Sequence, residues 1–141
     1  MTLLNKKISG FTLVELLVVI AVIALMMSVI LAVWSGLKAK SRDTKRAADV
    51  KAIQDALALY NTTVQRFPIS ADVLVLPGAD AVSLELISSG SIPAVPTDPL
   101  RNPPYQYSYQ TDADGSTFIV TYYLETDSIS GKSAGENTVT P

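Results

Sequence analysis

The sequence contains no Cys and no His. Those absences remove a Ser-His-Asp triad, a Cys-His pair, a disulfide framework and a Cys or His zinc site. The residues left that could do chemistry are few. Glu15 is a lone carboxylate in an apolar run. Asp112-Ala113-Asp114-Gly115 hints at calcium, but an EF-hand loop needs a third ligand position and a closing Glu. An ordinary hairpin turn is the favoured reading. Asn61-Thr62-Thr63 matches a glycosylation sequon, a three-residue pattern that arises easily by chance. The basic cluster at 38–46 could hold lipid headgroups or DNA, or be a solvated helix turn. With no clustered carboxylates besides, the chain reads as a non-enzyme with no cofactor and no metal. Its overall near-neutrality argues against a nucleic-acid partner.

These residues must be held by elements, and the composition shows where the elements change. Residues 1–46 carry a net charge of +5 and residues 47–141 a net −7, so the total of −2 sums two opposed halves. In residues 11–34 only Thr12, Glu15 and Ser28 are not apolar. That length matches the roughly 20 residues that cross a ~30 Å hydrocarbon core, and a span must satisfy its backbone as a helix. A buried core helix is the alternative, but no other segment is large enough to surround one. The run is too long for an ordinary cleaved signal and no small-x-small site follows it. Trp34 stands where an interfacial aromatic would. Thr12-Leu13-Val14-Glu15 also fits a capping box.

The helix need not end with the apolar run. Ala47, Val50, Ile53, Leu57, Tyr60 and Val64 share one helical face suited to packing on a sheet. Ala52, Ala56 and Leu59 form a second, weaker strip that could meet a neighbouring chain. The spacing predicts one helix from about Thr12 to about Tyr60, ended by Phe67-Pro68. Beyond Pro68, residues 81–88 read as a short helix. Residues 105–111 and 117–125 read as a hairpin around the Asp-Gly turn, and residues 137–140 as a third, edge strand. The expected fold is α+β: a long N-terminal helix, transmembrane then amphipathic, packed on a small antiparallel sheet.

The junction Lys6-Lys7-Ile8-Ser9-Gly10 followed by Phe11-Thr12-Leu13-Val14-Glu15 resembles the class III signal of type IV prepilins and type II secretion pseudopilins. The P-T-D-P turn at Pro96–Pro99 and the Tyr-rich strand after it are similar to the same family, as is the stretch 41–60. The resemblance implies four parts: a leader (1–10), a transmembrane and filament-core helix (11–34), its amphipathic continuation (35–65) and a pilin-like head (66–141). It implies that a prepilin peptidase cuts after Gly10 and methylates the amine of Phe11. It implies that Glu15 pairs with a neighbour's Phe11 amine during assembly, whereas the residues alone leave a helix cap equally open. The implied partners are other copies of the chain in a homopolymeric filament, an inner-membrane assembly platform, and membrane lipid before assembly. The N-terminus would be cytoplasmic and the assembled filament periplasmic or extracellular. A positive-inside count over residues 38–46 points mildly the other way. Residues 24–32 lack the Gly and Pro that many family members carry, so a continuous helix is expected. The calcium loop of major pseudopilins is not matched, since residues 126–131 hold one Asp. The other readings are a surface pilus as against a secretion pseudopilus, and a single-span binding module that never polymerises.

Overall fold

The computed structural model describes residues 10–70, 72–76 and 80–141. The leader's first nine residues lie outside the described residues. Helix α1 runs Leu13–Val64. Contacts divide the chain into two units, residues 1–37 and 38–141.

In the first unit, α1 starts on Thr12, whose carbonyl accepts from Leu16 N at 3.2 Å. Its opening stretch is long and apolar enough to cross a membrane by length and composition. Phe11, Leu16, Ile23, Ile30 and Trp34 are all exposed. Among the described residues of this unit none is buried, so its stability must come from surroundings that cover it.

In the second unit, the rest of α1 packs on an antiparallel sheet. Val50, Ile53, Leu57 and Tyr60 are buried, as their spacing predicts. Ala56 is buried too, so the expected second strip of Ala52, Ala56 and Leu59 is broken; only Ala52 and Leu59 stay exposed. A helix lying on a sheet buries more than one residue per turn, and Ala56 fills the space beside Ile53 and Leu57. Val64 is exposed at the end of the face. The helix runs four residues past Tyr60. It stops where Gln65 turns left-handed (φ 61°) and its N–H reaches Asn61 O at 2.8 Å.

The sheet has four strands in order β1 (Leu74–Leu76), β2 (Tyr107–Thr111), β3 (Phe118–Leu124) and β4 (Gly135–Val139), each antiparallel to the next. The sequence predicts the last three; β1 is added on the edge. Alternation turns Tyr107 and Tyr109 of β2, and Phe118, Val120, Tyr122 and Leu124 of β3, into the core. Helix α2 (Ala81–Ser88) is capped by Asp80, whose Oδ1 accepts from Ser83 N at 2.7 Å, and buries Val82 and Leu86.

The hairpin turn is fixed by Gly115. Its φ is +69°, and a Cβ there would lie 2.8 Å from Phe67 O. Phe67 N donates to Gly115 O at 2.8 Å, and the Phe67 ring meets Phe118 edge-on at 4.8 Å. The turn is thereby stitched to the chain just beyond the end of α1.

Candidate functional site

Two constellations stand out, one in each unit. At the N-terminal junction, a Cβ added to Gly10 would meet nothing within 4 Å among the described residues, and Phe11 is 80% exposed. Glu15 forms the reciprocal cap the sequence allows. Its Oε2 accepts from Thr12 N and from Thr12 Oγ1, both at 2.8 Å, and Glu15 N donates to Thr12 Oγ1 at 3.2 Å. The carboxylate thus satisfies the first orphan amide of the helix. Phe11 is still acylated by Gly10, so its nitrogen is an uncharged amide.

The second constellation was not foreseen. Arg46 lies within the basic run, yet its side chain is fully buried. Its Nε and Nη2 donate to the two oxygens of Asp98 at 2.6 and 3.1 Å. Its Nη1 donates to Asp43 at 2.8 Å and to Glu125 at 2.6 Å. The Tyr105 ring covers the guanidinium at 4.7 Å. Arg42 also grips Glu125, its Nε donating at 2.7 Å to the Oε1 that Arg46 shares and its Nη2 at 2.5 Å to Oε2.

The carboxylates are also saturated by backbone. Asp43 accepts from Glu125 N at 2.9 Å and from Thr126 N at 2.8 Å, and Asp98 from Leu100 N at 2.8 Å. A buried ion survives only when its partners and remaining hydrogen bonds are supplied, and here both conditions hold. The hydrogen bond from Arg42, joined by Arg46, holds the Glu125 carboxyl down at about 2 against the cost of burial. Burial works against the charge on Arg46, but hydrogen bonds to Asp98, Glu125 and Asp43 outweigh it and push its pKa up.

This corrects the expectation of a solvated basic turn at 38–46: its two arginines are turned inward as a clamp. The clamp ties α1 to the 97–101 loop and to the end of β3. The opposed charges of the two chain halves were its only sequence signal. Each of its three carboxylates is engaged by a guanidinium, which suits it to positioning these segments.

The other candidates have local accounts. Asp112 Oδ1 accepts from Ser116 N at 2.8 Å and Thr117 N at 3.3 Å, and the Ser116 hydroxyl bonds the other oxygen. Those bonds, the Ser116 hydroxyl first, lower the Asp112 pKa. The Asp-x-Asp-Gly segment is built as a hairpin turn. Among the described residues no group of three or more Asp or Glu side chains could hold a metal. Asn61 sits inside α1, and Thr63, the hydroxyl residue of the sequon, turns its Oγ1 toward Leu59 O at 3.5 Å.

An apolar, carboxylate-capped helix whose continuation carries a small antiparallel head defines the pilin-like class of α+β subunits. The prokaryotic N-terminal methylation motif matches residues 5–31, and the type II secretion system protein G family matches residues 35–138. The chain belongs to the type II secretion system protein G family. Among its relatives, type II secretion system core protein G of Aeromonas hydrophila is 32% identical over 103 residues, covering 70% of this chain and 72% of that one. Its counterpart in Vibrio cholerae is 28% identical over 136 residues, covering 94% and 88%. That of Escherichia coli K12 is 28% identical over 102 residues, covering 70% of each. No solved structure matches.

Proposed function

We propose that the chain is the repeating subunit of a type II secretion pseudopilus. It inserts in the inner membrane with its leader cytoplasmic, is cut after Gly10, is N-methylated on Phe11, and polymerises through its apolar helix. The observation that carries this reading is the contrast between the two units. The head has its own complete core, whereas the apolar helix has none of its most hydrophobic stretch buried. Lipid covers it first, and other copies of the same helix cover it in the filament. The protein G relatives favour the secretion filament over a surface pilus.

Glu15 then has successive roles. Before cleavage its hydrogen-bond partners among the described residues are the Thr12 amide and hydroxyl, and Phe11 N is an uncharged amide with no charge to pair with it. Cleavage creates a cationic amine, and burying that amine and the Glu15 carboxylate in a dry core is tolerable only as a pair. A neighbour in the wrong axial register would leave both unpaired.

Glu15→Gln separates the two roles, since Gln caps a helix as Glu does but carries no charge. The variant should be cleaved normally and should be missing from sheared filaments. Normal filaments from it would reduce Glu15 to a cap.

A further inference from the structure

Arg101 is held in a conformation that ordinary residues avoid, with φ at 56°. The loop carrying it is not slack. Asp98 anchors it from below through Leu100 N at 2.8 Å, Asn102 bridges to Tyr105, and Tyr105 lies on the buried Arg46. Strained backbone persists where surrounding structure over-determines it, and such places are often functional. The side chain borders a cavity walled by Val75, Leu76, Thr97 and Gln106. Arg42, Lys45, Arg46 and Lys51 each have a carboxylate within their own chain. Arg101 is exposed and has none among the described residues.

The complementary charge lies at the other end of the head. Asp114 is exposed on the β2–β3 turn and has no cation or hydrogen-bond donor among the described residues, although Arg66 is beside the turn. That turn is stitched to Phe67, while the Arg101 loop is stitched to Arg46. The α1 residues between these anchor points span about 27 Å at 1.5 Å per residue.

We propose that Arg101 and Asp114 are the two halves of a head-to-tail contact between copies of this chain. Two copies pointing the same way and displaced along α1 bring the Arg101 end of one to the Asp114 end of the next. Such an interface is heterologous and propagates without closing. The rigid loop presents its guanidinium with little left to order on binding. The contact rests on the filament reading and adds to it a polar bond between heads.

The absence of Cys gives a clean test. The full-length chain carrying Arg101→Cys and Asp114→Cys is assembled into filaments and treated with a short bismaleimide. A disulfide is too short to replace an arginine–carboxylate pair. A ladder of dimers, trimers and higher products is expected, with none from either single variant. Filaments that form normally but give no ladder, only dimers, or cross-links to another protein overturn the contact and leave the filament reading intact. A wild-type chain that forms no filaments overturns the filament reading itself.

Charge exchange is the second arm. Arg101→Asp or Asp114→Arg alone should lower sheared-filament yield about tenfold by setting like charges together, and the double exchange should restore it. Arg101→Gly, which relieves the backbone, should leave the head at least as stable while still reducing filament yield. Unchanged yield in all of these variants would overturn the contact.

Discussion

Arg46 and Asp98, 52 positions apart, are joined by two parallel hydrogen bonds, and neither side chain exceeds 2% exposure. The pair closes the 97–101 loop onto α1, and Glu125 extends the closure to the end of β3. Removing Asp98 leaves the Nε and Nη2 donors of a buried guanidinium without their acceptors, although Nη1 keeps Asp43 and Glu125. Asp98→Ala should therefore cost about 3–5 kcal/mol. Urea unfolding of the full chain in detergent, followed by tyrosine fluorescence, measures it. Asp98→Asn, which keeps the shape and one acceptor, should cost less. A change below 1 kcal/mol in Asp98→Ala would mean that the clamp is decorative.

Acid should open the same clamp. Glu125 has a folded pKa of about 2, below the ordinary carboxylate value in the unfolded chain. A depressed folded pKa contributes stability that is fully present above the unfolded value and is lost as pH falls through the folded one. Unfolding measured against pH should thus show stability falling between about pH 4.5 and 2. In Glu125→Gln that slope should be shallower, with a lower plateau at neutral pH. Parallel acid curves for the two proteins would show that Glu125 is not the titrating group.

Two glycines should respond with opposite sign. Gly115→Ala places a Cβ against Phe67 O in a left-handed turn and should destabilise the head by about 1–3 kcal/mol. At Gly36, inside α1, an added Cβ meets nothing within 4 Å. Gly36→Ala should stabilise the helix by up to about 1 kcal/mol. Paired thermal melts by circular dichroism check both.

The core helix face offers a quantitative control. Ile53 is fully buried and Leu59 is half exposed. Ile53→Ala should cost about 2–5 kcal/mol. Leu59→Ala should stay within about 0.5 kcal/mol, because about half of that residue is open to solvent. Denaturant midpoints at constant slope would confirm the ranking.

Local patterns in the sequence carried most of the fold. The period of Val50, Ile53, Leu57 and Tyr60, the alternation of Tyr107 and Tyr109, and the Asp-Gly turn each predict the element that holds them. The Thr12–Glu15 cap was legible because its partners are three residues apart. Strand β1 was not, because three residues carry no period and its pairing to β2 spans 31 positions or more. The clamp was hidden for the same reason: Arg46 finds Asp98 and Glu125 at separations of 52 and 79. In the sequence those arginines look like surface charge beside an apolar segment. The long-range pairing inverts that reading, and it also explains how a positive cluster next to the span is offset once the head folds.

The central claim is that this chain is matured at its N-terminus and polymerised. The mass of the N-terminal peptide from sheared filaments tests both at once. The account predicts a peptide beginning at Phe11 with one added methyl group. A peptide beginning at Met1, or filaments that lack the chain altogether, would contradict it.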